Sequence, residues 1–418
     1  MKGKIENIKT KFLDNKKVAE NYFFMTFLQG ASLLIGLLLY PYLIRVLGKE
    51  AYGTYIFIFS NIQFFVLFIS FGFGLPALKK ISLNADNLAI KSRTISEVLT
   101  AQSLLFVLCA VILAILIYFV PFVNAHFWLY IIIFSITLVE ILFPTWYFQG
   151  IQKMKFVTYV NLTLRILTVP LIFIFIKSPD DLLKYALIVT LLPLAGSIFT
   201  FFNLQIKEKI EIRFVSLASL KPVFKDALPF FWKSVFGVTK SETVTFILGA
   251  FFSMESVAIY DLANKIITVP RLITNSINTA LFPKVVKNHS SESVKKIIKY
   301  ETIIGLIITV LVAIFGYWVV LIWGGKNMLA AYPLTVILSF TIYAWLIVGC
   351  YINFVFIPHH KYYFVTRNQI AAFVSFLLFA AIGLLISKNI TILVVAYTLS
   401  YVVEIIYCRY LIKKHRLL

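Results

Sequence analysis

The sequence is poor in acidic residues and in cysteine. It has 18 aspartates and glutamates against 39 lysines and arginines, and 14% of its residues are charged, whereas a soluble domain has about a quarter. The three cysteines, Cys109, Cys350 and Cys408, lie far apart, in or at the ends of apolar runs. Their number and spacing exclude a disulfide framework and give no cluster of metal ligands. We therefore expect no metal site and no cofactor.

Long polar segments are also missing. Hydrophobic residues make up 61% of the chain and come in long runs, in contrast to the alternating segments of about ten residues that an outer-membrane barrel shows. The pattern predicts an all-α polytopic membrane protein. We predict about 12 transmembrane helices, at approximately 20–44, 52–77, 96–120, 127–149, 157–177, 183–206, 228–251, 256–282, 298–323, 330–357, 364–387 and 390–411.

The positive charge is distributed unevenly between the loops. Alternate loops and the two ends hold 28 lysines and arginines, and the opposite loops hold 6. Basic loops stay in the cytoplasm, so both termini are predicted to be cytoplasmic. A net charge of +21 would suggest nucleic acid for a soluble protein, but here the cations are spread through short loops. We therefore expect no nucleic-acid partner.

The predicted spans divide the chain into four parts. Residues 1–19 form a basic amphipathic segment on the cytoplasmic membrane surface, where anionic lipids attract its lysines. Residues 20–206 form an N-terminal six-helix bundle, and residues 207–227 form a cytoplasmic linker between the bundles. Residues 228–418 form a C-terminal six-helix bundle that ends in a short basic tail.

The two bundles resemble each other in sequence. The segment LGKEAYGTY at 47–55 matches FSMESVAIY at 252–260 at an offset of 205, and KMKFVT at 153–158 matches KYYFVT at 361–366 at an offset of 208. Both bundles have six predicted spans in the same orientation, so the repeats are parallel. This arrangement predicts a central cavity around which the two repeats move.

A polar stripe runs along the predicted span at 256–282. Asp261, Lys265, Thr268, Arg271 and Asn275 follow one another at steps of three or four residues, which places them on one helical face. A charged residue at the centre of a bilayer costs about 2.5–3.5 kcal/mol, so such residues face a protein interior or a wet cavity. The stripe has two cations and one anion and predicts a cavity for an anionic guest.

An alternative reading of the stripe stays open. Asp261 and Lys265 are four residues apart and could pair with each other to hold helices together. Arg271 has no acidic residue one turn away. Other polar residues extend the candidate site: Asn264 on the same span, Lys233 and Lys240 on one face of the span at 228–251, and Arg165 on the span at 157–177. Arg165 could equally reach back to the membrane surface.

Several segments resemble a known family. YPYLIRVLGKEAYGTYIF at 40–57, FGFGLPALKKIS at 71–82, WYFQGIQKMKFVT at 146–158, AIYDLANKI at 258–266 and ALFPKVVK at 280–287 resemble the Wzx-type flippases of polysaccharide repeat units. These flippases belong to the polysaccharide transporter branch of the multidrug/oligosaccharidyl-lipid/polysaccharide exporter superfamily. The resemblance covers essentially the whole chain.

The resemblance implies a flippase of the bacterial inner membrane and no enzymatic activity. Its substrate would be an oligosaccharide repeat unit on undecaprenyl diphosphate, made for O-antigen, lipopolysaccharide or capsule, and moved from the cytoplasmic to the outer leaflet. Membrane lipids, and polymerase and chain-length proteins of the same pathway, are the implied partners. On this basis Lys265 and Arg271 would bind the diphosphate or an acidic sugar, and Asp261 would orient Lys265 or titrate. The supporting residues would be Lys233, Lys240, Arg165, Asn264, Thr268 and Asn275.

Two other functions remain open. A flippase for peptidoglycan precursor or a multidrug exporter belongs to the same superfamily, but drug exporters favour acidic cavities. A membrane polymerase or glycosyltransferase would predict a large outer loop or an aspartate-based metal motif, and the sequence has neither.

Overall fold

The computed structural model describes residues 2–287 and 290–418, without the side chains of residues 2–19, 22, 273, 275–277, 279–280, 282–284 and 286–287. The described helices account for 88% of the chain, and the described residues contain no β-strand. Nine helices within this part of the chain are long and apolar enough to cross a membrane. The all-α membrane fold is therefore confirmed, whereas 12 spans in two repeats stay a prediction. The amphipathic segment predicted for residues 1–19 depends on side chains that lie outside the described part of the structure.

The helices belong to two compact units, residues 1–42 with 61–234 and residues 43–60 with 235–418. Helices α1 (Lys2–Ser70) and α10 (Leu217–Phe251) have residues in both. The first unit also contains α2 (Gly74–Leu83), α3 (Leu88–Phe119), α4 (Pro121–Ala125), α5 (Phe127–Phe134), α6 (Ile136–Leu142), α7 (Thr145–Gly150), α8 (Met154–Phe175) and α9 (Leu182–Ile206). The second contains α11 (Met254–Lys287), α12 (Ser291–Gly324), α13 (Ala331–Tyr351), α14 (Tyr362–Ile386) and α15 (Ile390–Lys414). The domain boundaries predicted at 206 and 228 stay a prediction.

Helix α1 bends where the sequence predicts a loop between two spans. The break is at Gly48, whose φ of 74° and ψ of 171° are not helical. A positive φ favours glycine because a side chain would clash with the backbone. The second span, predicted to reach residue 77, ends earlier at Ser70. Phe71 and Gly72 follow with φ of 41° and 73°, and α2 begins after them.

The predicted span at 127–149 matches one of the nine candidate spans in the described residues, Phe127–Gly150, but its helix is interrupted. It consists of α5, α6 and α7, with interruptions at Ser135 and at Phe143–Pro144. Proline has no N–H to donate, and it disfavours helical geometry at the residue before it. Phe143 accordingly has a non-helical ψ of 74°. The proline therefore explains the interruption at Phe143–Pro144, which apolar composition alone does not reveal.

The segment between α9 and α10 lies in extended form along α3. The backbone N–H groups of residues 211, 213 and 215 donate to hydroxyl oxygens of Ser92, Ser96 and Thr100, at 3.2, 3.1 and 3.3 Å. Alternate residues of an extended chain point to one side, and residues four apart on a helix share a face. The two spacings match, so the three hydroxyl groups on α3 accept hydrogen bonds from successive inward-facing N–H groups of this segment.

Candidate functional site

Helix α11 contains the polar stripe predicted from the sequence. Its apolar residues Leu262, Ala263, Ile266 and Ile267 are at most 5% exposed. On the other side Asp261, Asn264, Lys265 and Arg271 are partly exposed, and Thr268 is exposed. The 3.6-residue period of the helix produces this division. The side chain of Asn275 lies outside the described residues, so its place on the stripe stays a prediction.

Asp261 and Lys265 form a three-membered cluster with Tyr52 of α1. Lys265 Nζ lies 2.7 Å from Asp261 Oδ2 and 2.5 Å from the Tyr52 hydroxyl oxygen. The Tyr52 hydroxyl donates in turn to Asp261 Oδ2 at 2.9 Å. Tyr52 is 1% exposed, whereas the Lys265 side chain is 40% exposed. Asp261 and Lys265 therefore do pair, as in the alternative interpretation of the stripe, and the Lys265 side chain stays partly exposed; contact of either residue with a substrate stays a prediction.

Arg271 provides the excess positive charge of the stripe. One terminal amino group of its guanidinium donates to the Thr341 hydroxyl on α13, and the group lies 5.8 Å from the centre of the Tyr401 ring. No described carboxylate is within ion-pair distance of it. Its buried Nε–H also has no hydrogen-bond partner among the described residues. A guanidinium with an unused donor is suited to a phosphate or carboxylate.

Lys240 differs from the other cations because it is fully enclosed. Its Nζ lies 3.4 Å from Glu404 Oε2, and the two side chains are 5% and 4% exposed. Glu404 Oε1 also accepts from Asn368 at 3.2 Å and from Gln369 at 3.3 Å. The ammonium lies 3.5 Å from the centre of the Tyr401 ring. These contacts join α10, α14 and α15, and they leave Lys240 little surface for a ligand.

The remaining predicted residues are not part of these clusters. Lys233 and Arg165 lie in the first unit, are exposed, and form no ion pair with any described residue. In the second unit the Thr268 hydroxyl donates to the Asn264 carbonyl oxygen at 2.8 Å. Contact of Lys233, Lys240, Arg165, Asn264 and Thr268 with a substrate stays a prediction.

Sequence reasoning missed three residues that hold the charged side chains in place: Tyr52, Thr341 and Tyr401. Tyr52 is 209 positions from Asp261, and no local spacing connects them. A weak signal existed, because Tyr52 lies in the repeated segment at 47–55. Thr341 and Tyr401 lie on apolar helices where a single hydroxyl is common, and only the helix packing brings them to Arg271.

The fold and the stripe together define a helical membrane protein with a cationic polar face. A family described as polysaccharide biosynthesis protein matches residues 18–289, and the chain belongs to this family. Two relatives, from Escherichia coli K12 and Shigella dysenteriae, are provisionally described as O-antigen transporters. They are 26% identical over 63% of this chain and 25% identical over 74% of it. The matches cover 64% and 78% of the relatives, so the first spans less than two thirds of that protein.

A solved structure supports the fold independently. The lipid II flippase MurJ, in an inward closed conformation, superposes with a TM-score of 0.70 over 94% of this chain and 87% of its own, at 16% identity. The family and the fold both agree with the resemblance found in the sequence. The relatives are described as transporters and the solved structure as a flippase, in agreement with the expectation that the chain is not an enzyme.

Proposed function

We propose that this protein is a flippase that moves a lipid-linked oligosaccharide, a polysaccharide precursor, across the bacterial inner membrane. The lipid carrier is undecaprenyl diphosphate, and movement runs from the cytoplasmic to the outer leaflet by alternating access, with both termini in the cytoplasm. Family membership and the O-antigen transporter descriptions of two relatives support the substrate class. The positive-inside distribution of loop charges supports the orientation.

The observation on which the proposal depends most is the surplus charge of Arg271. Asp261 lies 2.7 Å from Lys265 and balances its charge, so the α11 stripe has one cation without a protein counter-charge among the described residues. A diphosphate is a multivalent anion that would pair with this guanidinium. Lys265 is partly exposed and would add a second contact. The apolar tail of the substrate can stay in the lipid while the head passes.

Reconstitution tests the proposal directly. Purified protein is placed in liposomes with an undecaprenyl-diphosphate oligosaccharide, and the sugar's appearance on the other leaflet is followed by periodate or lectin accessibility. A hydrogen bond to a charged group contributes about 1.5–3 kcal/mol, so Arg271→Gln should slow movement about 10- to 100-fold. Lys265→Gln should also slow movement, since its removal leaves Asp261 without its counter-ion and so places an unbalanced negative charge beside the diphosphate.

Lys388→Gln is the matched control. Lys388 lies in the loop between α14 and α15, is exposed, and should tolerate the same loss of charge. Normal movement by both stripe variants would exclude the assigned site. Failure of the wild-type protein with several sugars, together with drug efflux in the same liposomes, would favour the multidrug exporter. Movement of a peptidoglycan precursor alone would favour the other alternative.

A further inference from the structure

The first unit contains a cavity that is lined by several cations and shares no residue with the stripe. Its volume is about 660 Å³, and it lies between α2, α3 and the start of α10. The floor is a buried apolar cluster that ties these helices together; it includes Phe73, Ala77, Val98, Leu220 and Ala227. A packed floor keeps the cavity walls in fixed positions.

A buried carboxylate organises the cationic side of the cavity. Glu97, on α3, has a side chain that is 6% exposed and accepts from Lys80 Nζ at 2.9 Å and from Arg93 Nε at 2.7 Å. The Arg93 side chain is 71% exposed, and its terminal amino groups have no partner among the described residues. Lys79 also lines the cavity and forms no ion pair in the described part of the chain. Two cations are thus available to a ligand.

The wall beside Lys79 is apolar. Leu75, Lys79 and Leu83 lie four residues apart on α2, so they share one helical face. Leu75 and Leu83 are 53% and 73% exposed, and all three line the cavity. On this face Lys79 can pair with an anionic headgroup, and the two exposed leucines can pack against an acyl chain. Phe230, on α10, continues the apolar lining.

We propose that this cavity binds an anionic phospholipid. Basic pockets between membrane helices bind such headgroups on the cytoplasmic side, and the loop charges predict that α2 and the start of α3 lie at that side. Lys79 and Arg93 would bind the phosphate, and the acyl chains would lie along Leu75 and Leu83. The lining contains few of the amide and hydroxyl groups that would recognise an oligosaccharide, so the lipid-linked substrate fits it less well. The inference does not depend on the proposed transport function.

A carboxylate that lines the cavity should weaken the binding of an anionic lipid, whereas the cations strengthen it. Asp226, on α10, lines the cavity and pairs with no cation among the described residues. It repels a phosphate, so Asp226→Asn should strengthen binding of an anionic lipid. Each cation near an anionic lipid contributes about a fivefold change in affinity, so Lys79→Gln should weaken binding about fivefold.

The experiment is a titration of the purified full-length protein with cardiolipin in mild detergent, read by native mass spectrometry. Phosphatidylethanolamine and undecaprenyl diphosphate are titrated in parallel. Lys221→Gln is the control, because Lys221 is exposed on α10 but does not line the cavity. We expect weaker cardiolipin binding for Lys79→Gln, stronger binding for Asp226→Asn, and no change for the control.

Other outcomes would overturn the proposal. Unchanged binding by Lys79→Gln would exclude the site, and an equal loss in Lys221→Gln would mean diffuse surface attraction. Weaker binding of phosphatidylethanolamine by Asp226→Asn, without stronger binding of cardiolipin, would indicate that the site prefers an amine-bearing lipid. A loss limited to undecaprenyl diphosphate would make the cavity an entry site for substrate. Lys79 is exposed, so its substitution should leave folding intact; a thermal unfolding measurement checks this.

Discussion

The buried pair of Lys240 and Glu404 makes a demanding prediction about stability. Both side chains are about 95% enclosed, so neither can recover its water shell if the other is removed. Lys240→Met keeps much of the lysine's apolar stem and deletes the charge. Glu404 would then keep only the amide groups of Asn368 and Gln369 as donors. Lys265→Met is the matched control, since Lys265 is 40% exposed.

The magnitude follows from the enclosure. At 3.4 Å and an effective dielectric constant of about 20, the attraction between the two charges is about 5 kcal/mol. Removing one partner of a buried pair typically costs about 3–5 kcal/mol, whereas replacing both with apolar residues is often neutral. We therefore expect Lys240→Met to lower the free energy of unfolding by about 3–5 kcal/mol. The double variant Lys240→Met/Glu404→Leu should recover most of that loss.

Steric trapping in bicelles, which measures the free energy of unfolding of a membrane protein, is the appropriate assay. Lys265→Met should cost about 1 kcal/mol or less, as exposed ion pairs do. A loss of under about 1 kcal/mol for Lys240→Met would refute the argument that burial decides the cost. So would a double variant as unstable as the sum of the two single variants, because the interaction would then be absent.

Two further predictions concern α1 in the second unit. Tyr52→Phe removes the hydroxyl that joins Asp261 to Lys265, and transport in the liposome assay should fall about two- to tenfold; Tyr118→Phe, at an 80% exposed position, should leave the rate unchanged. Gly53→Ala places a Cβ 1.8 Å from the Met254 carbonyl oxygen and should destabilise the protein by about 1–3 kcal/mol. Gly237→Ala meets no atom within 4 Å and should be tolerated, as thermal unfolding can show.

The sequence alone predicted the helical membrane fold and the polar stripe because both depend on local periodicity. Apolar runs of about 20 residues indicate a helix whatever it packs against. Asp261, Lys265 and Arg271 share a face because of their spacing, and the pairing of the first two needs only one helical turn. The bend at Gly48 likewise coincides with a predicted loop between two spans.

The partners of these side chains could not be predicted in the same way. Glu404 is 164 positions from Lys240, and their meeting depends on how α10 and α15 pack. The sequence therefore treated Lys240 as one more cation of the cavity. Pro144 shows the same limit, because the apolar content of 127–149 does not reveal the helix break before it.

Enclosure separates the cations into two kinds that their charge does not distinguish. Lys240 contacts the Glu404 carboxylate and the Tyr401 ring, and Glu404 also accepts from two side-chain amides. Binding a ligand at Lys240 would therefore first require breaking contacts worth several kcal/mol. Arg271 has no carboxylate partner among the described residues and has one unpartnered donor, so an anion can pair with its guanidinium without displacing a carboxylate. A transported substrate must bind and dissociate in each cycle, which a cation without a carboxylate partner, such as Arg271, permits more easily than an enclosed ion pair. For this reason loss of transport without loss of stability is expected at Arg271, and loss of stability first at Lys240.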